Sequence, residues 1–299
     1  MINEFEYNGK AMGTEYFISI VCDSKDFSDK MYQIAKRDIE QYEFKFSRFL
    51  PASELSILNE KKSMNVSKTF LDVTIKAYQL FVKTKGIFNP LVQISRLGYT
   101  KSFDEFQFDK IVENEDFYDI DFSSVVINEV NSRITLKEGQ KLDYGGFLKG
   151  YVSEIIAKKI KAYSDNILGV IVNIGGDIYT EGLDKDGNKF IFNIYNPILK
   201  DSDIIVHLYN QALATSGIYK RTWVRFGKKF HHILDATGNQ NPKSEIVSSS
   251  VVCCDGSMAE AYTKVFLSMG DENALKLLDD KDILFVLIKN NGQIINNIK

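Results

Sequence analysis

Between Gly169 and Cys254 the chain is a succession of short β-branched runs broken by turn residues, and that spacing restricts what it can build. The runs are Gly169 to Ile174, Phe190 to Tyr195, Ile204 to Leu208, two flanking Gly227, and Ile246 to Cys254. Runs this short, punctuated by glycine and asparagine, read as hairpin-linked strands of an antiparallel sheet. Helical periods dominate upstream, and strand and helix never alternate regularly. The expected class is therefore α+β, a largely antiparallel sheet with packed helices, and not a doubly wound sheet.

In the first half, Tyr16 to Cys22 reads as the first strand. From Asp29 the period changes: Met31, Ile34, Ala35, Ile39, Tyr42 and Phe46 recur at helical spacing with charges between them. Ser53 is placed to cap a short second helix, and Ser67 precedes a third carrying Leu71, Ile75, Leu80 and Phe81 inward. Residues 86 to 90 (GIFNP) form a turn. Residues 100 to 140 carry the weakest pattern, apart from a hairpin of Val125 to Ile127 with Ile134 to Leu136 across Asn131. Lys141 to Asp143 is expected to end a strand. Gly145-Gly146 then turns the chain into a helix over 147 to 163, with Val152, Ile155, Ile156 and Ile160 inward. After Cys254 a helix starts near Asp255, and the chain closes on a strand from Ile283 to Ile288, a turn and a last strand. No repeat, linker or low-complexity tract interrupts residues 1–299, so a single two-lobed unit is expected.

Composition removes several classes of function. Lys and Arg number 37 against 40 Asp and Glu, a net charge of −3, which offers nucleic acid no general electrostatic handle. No apolar run reaches the ~18 residues of a membrane span, so no membrane anchor is expected. Cys22, Cys253 and Cys254 are too few and too badly spaced for a disulfide framework, which fits a reducing, cytoplasmic setting. Cys22 follows bulky Val21 and an acidic stretch with Glu4, Glu6 and Glu15, unlike a lipoprotein cleavage site.

Four segments carry residues suited to chemistry. Asp143-Tyr144-Gly145-Gly146-Phe147-Leu148-Lys149-Gly150 puts a lysine at a helix start, where free N–H groups favour an anion. The same residues also suit a plain tight turn with a solvated lysine, and the spacing is not a Walker A loop. Asn173-Ile174-Gly175-Gly176-Asp177 lacks the G-x-G-x-x-G spacing of a dinucleotide fold. His231 and His232 are adjacent, so on a strand at most one of them serves a given site. Neither a G-x-S-x-G elbow nor zinc-ligand spacing accompanies them. Glu260, Thr263 and Lys264 share one helix face, either as an exposed ion pair or as hard oxygen ligands suited to Mg²⁺.

In order along the chain, these segments resemble the ApbE family of flavin transferases. The resemblance rests on Ala11-Met12-Gly13-Thr14, Phe46-Ser47-Arg48-Phe49, Ser53-Glu54-Leu55-Ser56-Ile57-Leu58-Asn59 and Phe88-Asn89-Pro90. It continues through Leu142 to Tyr151, Val172 to Asp177, Ala214-Thr215-Ser216-Gly217, and His231 to Asp235 with Thr237-Gly238. Ala259-Glu260-Ala261, ahead of Phe266 and Gly270, completes it. It implies an ApbE-like, T-fold-related core that binds FAD in a cleft between two lobes. It further implies cleavage of the FAD diphosphate with Mg²⁺ and attachment of FMN to a Ser or Thr hydroxyl of an acceptor flavoprotein, with AMP released. By motif position, Met12, Phe49, Ile87, Phe88, Asn89, Asp143, Lys149 and Ile233 would contact FAD. Gly146, Glu260 and Thr263 would hold the metal, and His232 would act as general base.

The chain departs from the family pattern at three positions. Glu260 stands for the family's Asp, Lys264 holds the usual Thr position with Thr263 one residue earlier, and Asn89 replaces an Asp. A lysine there would either hydrogen-bond phosphate in place of a cation or repel the metal. Two rivals use the same site: a non-catalytic FAD-binding protein and an FAD pyrophosphatase.

Overall fold

The computed structural model describes residues 1–97, 119–220, 222–225, 227–276, 278 and 283–298. At its centre is an eight-stranded sheet in which every neighbouring pair is antiparallel. In spatial order the strands are β1 (Asn3–Ala11), β2 (Thr14–Cys22), β6 (Gly169–Ile174), β7 (Asp177–Gly182), β10 (Gln211–Gly217), β13 (Ile246–Cys253), β14 (Leu284–Lys289) and β15 (Ile294–Asn296). Side chains alternate between the two faces. Ala212 and Ala214 of β10, Val251 and Cys253 of β13, and Phe285 and Leu287 of β14 join the main core. Leu213, Val252, Val286 and Ile288 point the other way.

The helices that pack into the main core include α1 (Lys25–Phe46), α2 (Glu54–Lys61), α3 (Lys68–Lys83), α4 (Leu148–Lys161) and α5 (Gly256–Met269). The opposite face is covered by a two-stranded ribbon, β8 (Phe190–Asn196) and β9 (Asp201–Leu208), through Ile194, Val206 and Leu208. Each such buried aliphatic side chain contributes about 1.5–3 kcal/mol of transfer free energy. The expected cap is in place, with Ser53 Oγ accepting from Ser56 N (2.9 Å). The helices that start after Ser67 and at Asp255 are capped by those residues: Ser67 Oγ accepts from Phe70 N (3.3 Å) and Asp255 Oδ1 from Met258 N (2.9 Å). The class is α+β, as the patterning implied.

Several local expectations are corrected. The sheet begins with β1, not at residue 16; its outward Glu6, Asn8 and Lys10 face solvent, so no apolar run marks it. Helix α1 begins at Lys25, one turn before Asp29, because Ser24 caps it. The hairpin of β4 (Val126–Asn128) and β5 (Arg133–Thr135) gains a third strand, β3 (Ser63–Asn65), which follows the short helix α2 (Glu54–Lys61). Ile155 of α4 is 37% exposed, whereas Val152, Ile156 and Ile160 are buried. Lys141 to Asp143 is not a strand. Its backbone is paired by side chains instead: Asn59 donates to Leu142 O (2.9 Å) and accepts from Leu142 N (2.7 Å), and Gln93 donates to Lys141 O (2.7 Å). The weakly patterned residues 98–118 lie outside the described residues. No described helix is long and apolar enough to cross a membrane.

Candidate active site

Helices α4 and α5 meet at their first turns, and glycine makes the approach possible. A Cβ on Gly150 would lie 2.1 Å from Gly256 O, and one on Gly256 would lie 2.2 Å from Gly150 O. At that contact each helix satisfies an N-terminal amide of the other. Gly150 N donates to Glu260 Oε2 of α5 (2.9 Å), and Gly256 N donates to Glu154 Oε2 of α4 (2.7 Å). Carboxylates at helix starts are favoured by both the orphan donors and the macrodipole. The anion found at the start of α4 is thus Glu260 itself.

Glu260 is fully buried and anchors a charged cluster. Its Oε1 accepts from Lys149 Nζ (2.7 Å) and from Lys264 Nζ (2.9 Å), one turn along α5. Lys149 also pairs with buried Asp177 at the start of β7. Burial works to raise the Glu260 pKa, but the two ammonium groups and the Gly150 amide outweigh it and hold the carboxyl at about 2. Burial pushes Asp177 up, the Glu260 charge adds to this, and the Lys149 ammonium opposes both; the carboxyl sits at about 6. Burial lowers the Lys264 ammonium below its ordinary value despite the Glu260 carboxylate. Two carboxylates and two ammonium ions leave the ionised cluster formally neutral.

Beside the cluster lies a cavity of about 700 Å³, within the size range of small-molecule sites. It is lined by Met12, Phe49, Ile87, Phe88, Asn89, Asp143, Lys149 and Ile233, and by Gly146 and His232. Met12 and Gly13 form the two-residue turn between β1 and β2, both with positive φ (54° and 67°). That pair matches a type I′ hairpin, and for Met12 it costs about 1–2 kcal/mol. The Glu43 carboxylate accepts from Met12 N (2.7 Å) and secures the turn. Gly146 lies against the Phe88 ring, where a Cβ would come within 2.9 Å of Cε2. The Arg48 guanidinium pairs with Asp143 and stacks 4.7 Å from the centroid of Phe49, which is 42% exposed at the cavity.

His231 ends β12 (Lys228–His231), which pairs with β11 (Thr222–Arg225), and His232 follows in a turn lining the cavity. That turn is clamped by Asn241, a residue no sequence motif marked. Its Nδ2 donates to His231 O and to Ile233 O (2.6 Å each), and its Oδ1 accepts from His231 N (3.0 Å). His231 is pushed down to about 4, first by burial and then by the Lys229 charge.

The expected metal ligands do not assemble. Thr263 is buried with its hydroxyl turned to the sheet, donating to Glu260 O (2.6 Å) and hydrogen-bonded to Ser216 Oγ (2.7 Å). One residue further round the helix, Lys264 lines the cavity in its place. A dication on Glu260 Oε1 would lie roughly 4 Å from each ammonium. At an effective dielectric of ~20 each such pair is repulsive by ~8 kcal/mol. Among the described residues no group of three or more His, Cys, Asp or Glu is arranged to hold a metal ion. The side chains present do not fit Mg²⁺.

The ApbE family model matches residues 12–288. Among curated proteins, the FAD:protein FMN transferase of Haemophilus influenzae is 23% identical, over 94% of this chain and 85% of that protein. Its Klebsiella pneumoniae counterpart is 22% identical, over 94% and 89%. Among solved structures, the ApbE protein of Thermotoga maritima superposes with a TM-score of 0.85 at 22% identity, covering 99% of this chain and 97% of that one. The flavin transferase ApbE of Vibrio cholerae gives 0.82 at 22% identity with the same coverage. At these identities the superpositions show a shared fold.

Proposed function

The chain belongs to the ApbE family, and from that premise we propose that it transfers the FMN half of FAD to a serine or threonine hydroxyl of an acceptor flavoprotein, releasing AMP. The observation that supports this most is convergence. Residues drawn from position 12 to position 264 meet around one cavity, and they include apolar walls, two lysines and a histidine. Ile87, Phe88 and Ile233 suit the flat flavin, with Phe49 at the side. Lys149 and Lys264 offer ammonium donors to the diphosphate, within a cluster whose carboxylates balance their charge.

His232 takes the proton of the acceptor hydroxyl, a weak nucleophile that gains from a base of near-neutral pKa. The acceptor oxygen forms a bond to the FMN phosphorus. The bond from that phosphorus to the bridging oxygen breaks, and AMP leaves with that oxygen and its electron pair. Such a transfer needs positioning and charge neutralisation more than covalent catalysis by the protein. We read residues 1–299 as one unit whose helical and sheet lobes hold FAD between them. The cytoplasm is the compartment assigned to the acceptor, supported by three cysteines that are all free thiols. Cys22 is buried within paired β2, downstream of Met12.

The test is mass spectrometry of candidate flavoproteins co-expressed with this chain. One FMN mass added to an acceptor Ser or Thr is expected, and His232→Ala strongly reduces the modified fraction. FAD bound intact, with no candidate modified and no AMP formed, refutes the proposal.

A further inference from the structure

We propose that the Lys264 ammonium occupies the place a divalent cation would take, so that this site handles the FAD diphosphate without Mg²⁺. The inference rests on the flavin-transfer reading above and specifies its electrostatics. Three observations carry it. Lys264 Nζ is 2.9 Å from Glu260 Oε1, the carboxylate a cation would use, and Lys149 Nζ is 2.7 Å from the same atom. With Gly150 N on Oε2, all three donors around Glu260 come from the protein itself. Lys264 also faces the cavity, with 19% of its side chain exposed, so a diphosphate entering there meets an ammonium tethered to α5. Thr263, the oxygen ligand the site would need, is turned to Ser216 on the far side of the helix.

Asp177 Oδ1 is the remaining buried acceptor of the cluster without a hydrogen-bond partner. Asp177 is buried and does not line the cavity, and one such oxygen falls short of the near-octahedral oxygen set Mg²⁺ requires. Chemically, an ammonium can do part of a metal ion's work. It neutralises a non-bridging oxygen of the diphosphate and the charge that develops on departing AMP. It cannot lower the pKa of a bound nucleophile, which leaves proton removal to His232. The bonds formed and broken are those already given, with no redox change.

The test uses the full chain, FAD as ligand and Mn²⁺ as probe for the cation. Electron paramagnetic resonance is expected to show no stoichiometric Mn²⁺ uptake by the wild-type protein with FAD. Flavin-fluorescence titration is expected to give an FAD affinity that changes less than about twofold between EDTA and Mg²⁺. Lys264→Met is expected to weaken FAD binding by roughly tenfold. Stoichiometric Mn²⁺ uptake by the wild type overturns the inference, as does a Lys264→Met protein that binds FAD as tightly as wild type. FAD binding that appears only with Mg²⁺ overturns this inference and leaves flavin transfer standing. No FAD binding under either condition overturns both.

Discussion

Replacing Gly150 by alanine tests whether the crossing of α4 and α5 assembles the site. The new Cβ would sit 2.1 Å from Gly256 O, where ordinary contact begins at 3.4 Å. Neither partner is a flexible side-chain tip, so the helices must separate by about 1 Å, an overpacking that costs ~1–3 kcal/mol. Separation stretches the Gly150–Glu260 (2.9 Å) and Gly256–Glu154 (2.7 Å) bonds out of hydrogen-bonding range. Each is a bond to a charged group and is worth about 1.5–3 kcal/mol. Alanine returns roughly 1 kcal/mol through its helix propensity. The expected net loss is about 3–8 kcal/mol, read as a lowered midpoint in urea unfolding at unchanged slope. FAD binding should weaken in parallel, because Glu260 no longer holds Lys149 and Lys264 at the cavity. Gly256→Ala should behave alike, and the double variant should cost less than the two losses added, since both relieve one contact. A loss under about 1 kcal/mol, or a gain from helix propensity alone, would refute the idea that this approach is tight.

Three further outcomes follow from the site. His232→Ala should lower FMN transfer by about 10²–10⁴-fold while FAD titrations stay near wild type, as expected of a general base and not of a binding residue. Asn241→Ala should cost ~1–3 kcal/mol by leaving backbone groups of the His231–Ile233 turn unpaired; it should also slow transfer, measured by single-turnover AMP release. His231 prefers its neutral form when folded, so stability present above its ordinary 6.5 is lost as pH falls towards about 4. Asp177, raised from 3.8 to about 6, binds its proton more readily when folded and opposes that loss in the lower part of the window. Urea unfolding at several pH values should therefore show His231→Gln flattening the acid limb and Asp177→Asn steepening it.

What was legible in the sequence is what rests on short-range physics. Ser53, Ser67 and Asp255 cap helices because a cap needs only its own first turn. The β-rich runs after residue 169 became strands because their alternation matches two covered faces. Where a long-range partner decides, the reading failed. Lys141 to Asp143 looks like a strand end, yet Asn59 and Gln93 supply its pairing. Thr263 has the oxygen a ligand needs, but a step of one residue turns a helical side chain by about 100°, and the cavity lies on the Lys264 side. The Glu154–Gly256 cap joins positions far apart in the chain and leaves no local signal.

The strand order also affects how this protein is made. β2 pairs with β1 as soon as both emerge, but its other edge pairs with β6, which begins at Gly169. Roughly 150 residues must follow β2 out of the ribosome first, and at ~5–20 residues per second that takes about 8–30 s. Throughout that wait Ile18 and Ile20, fully buried at the end, belong to an apolar strand with one unpaired edge. A nascent chain of this family member is therefore most at risk of aggregation before its middle third is complete. Slowing translation between β2 and β6 should lower soluble yield, and a chaperone that covers the β2 edge should restore it.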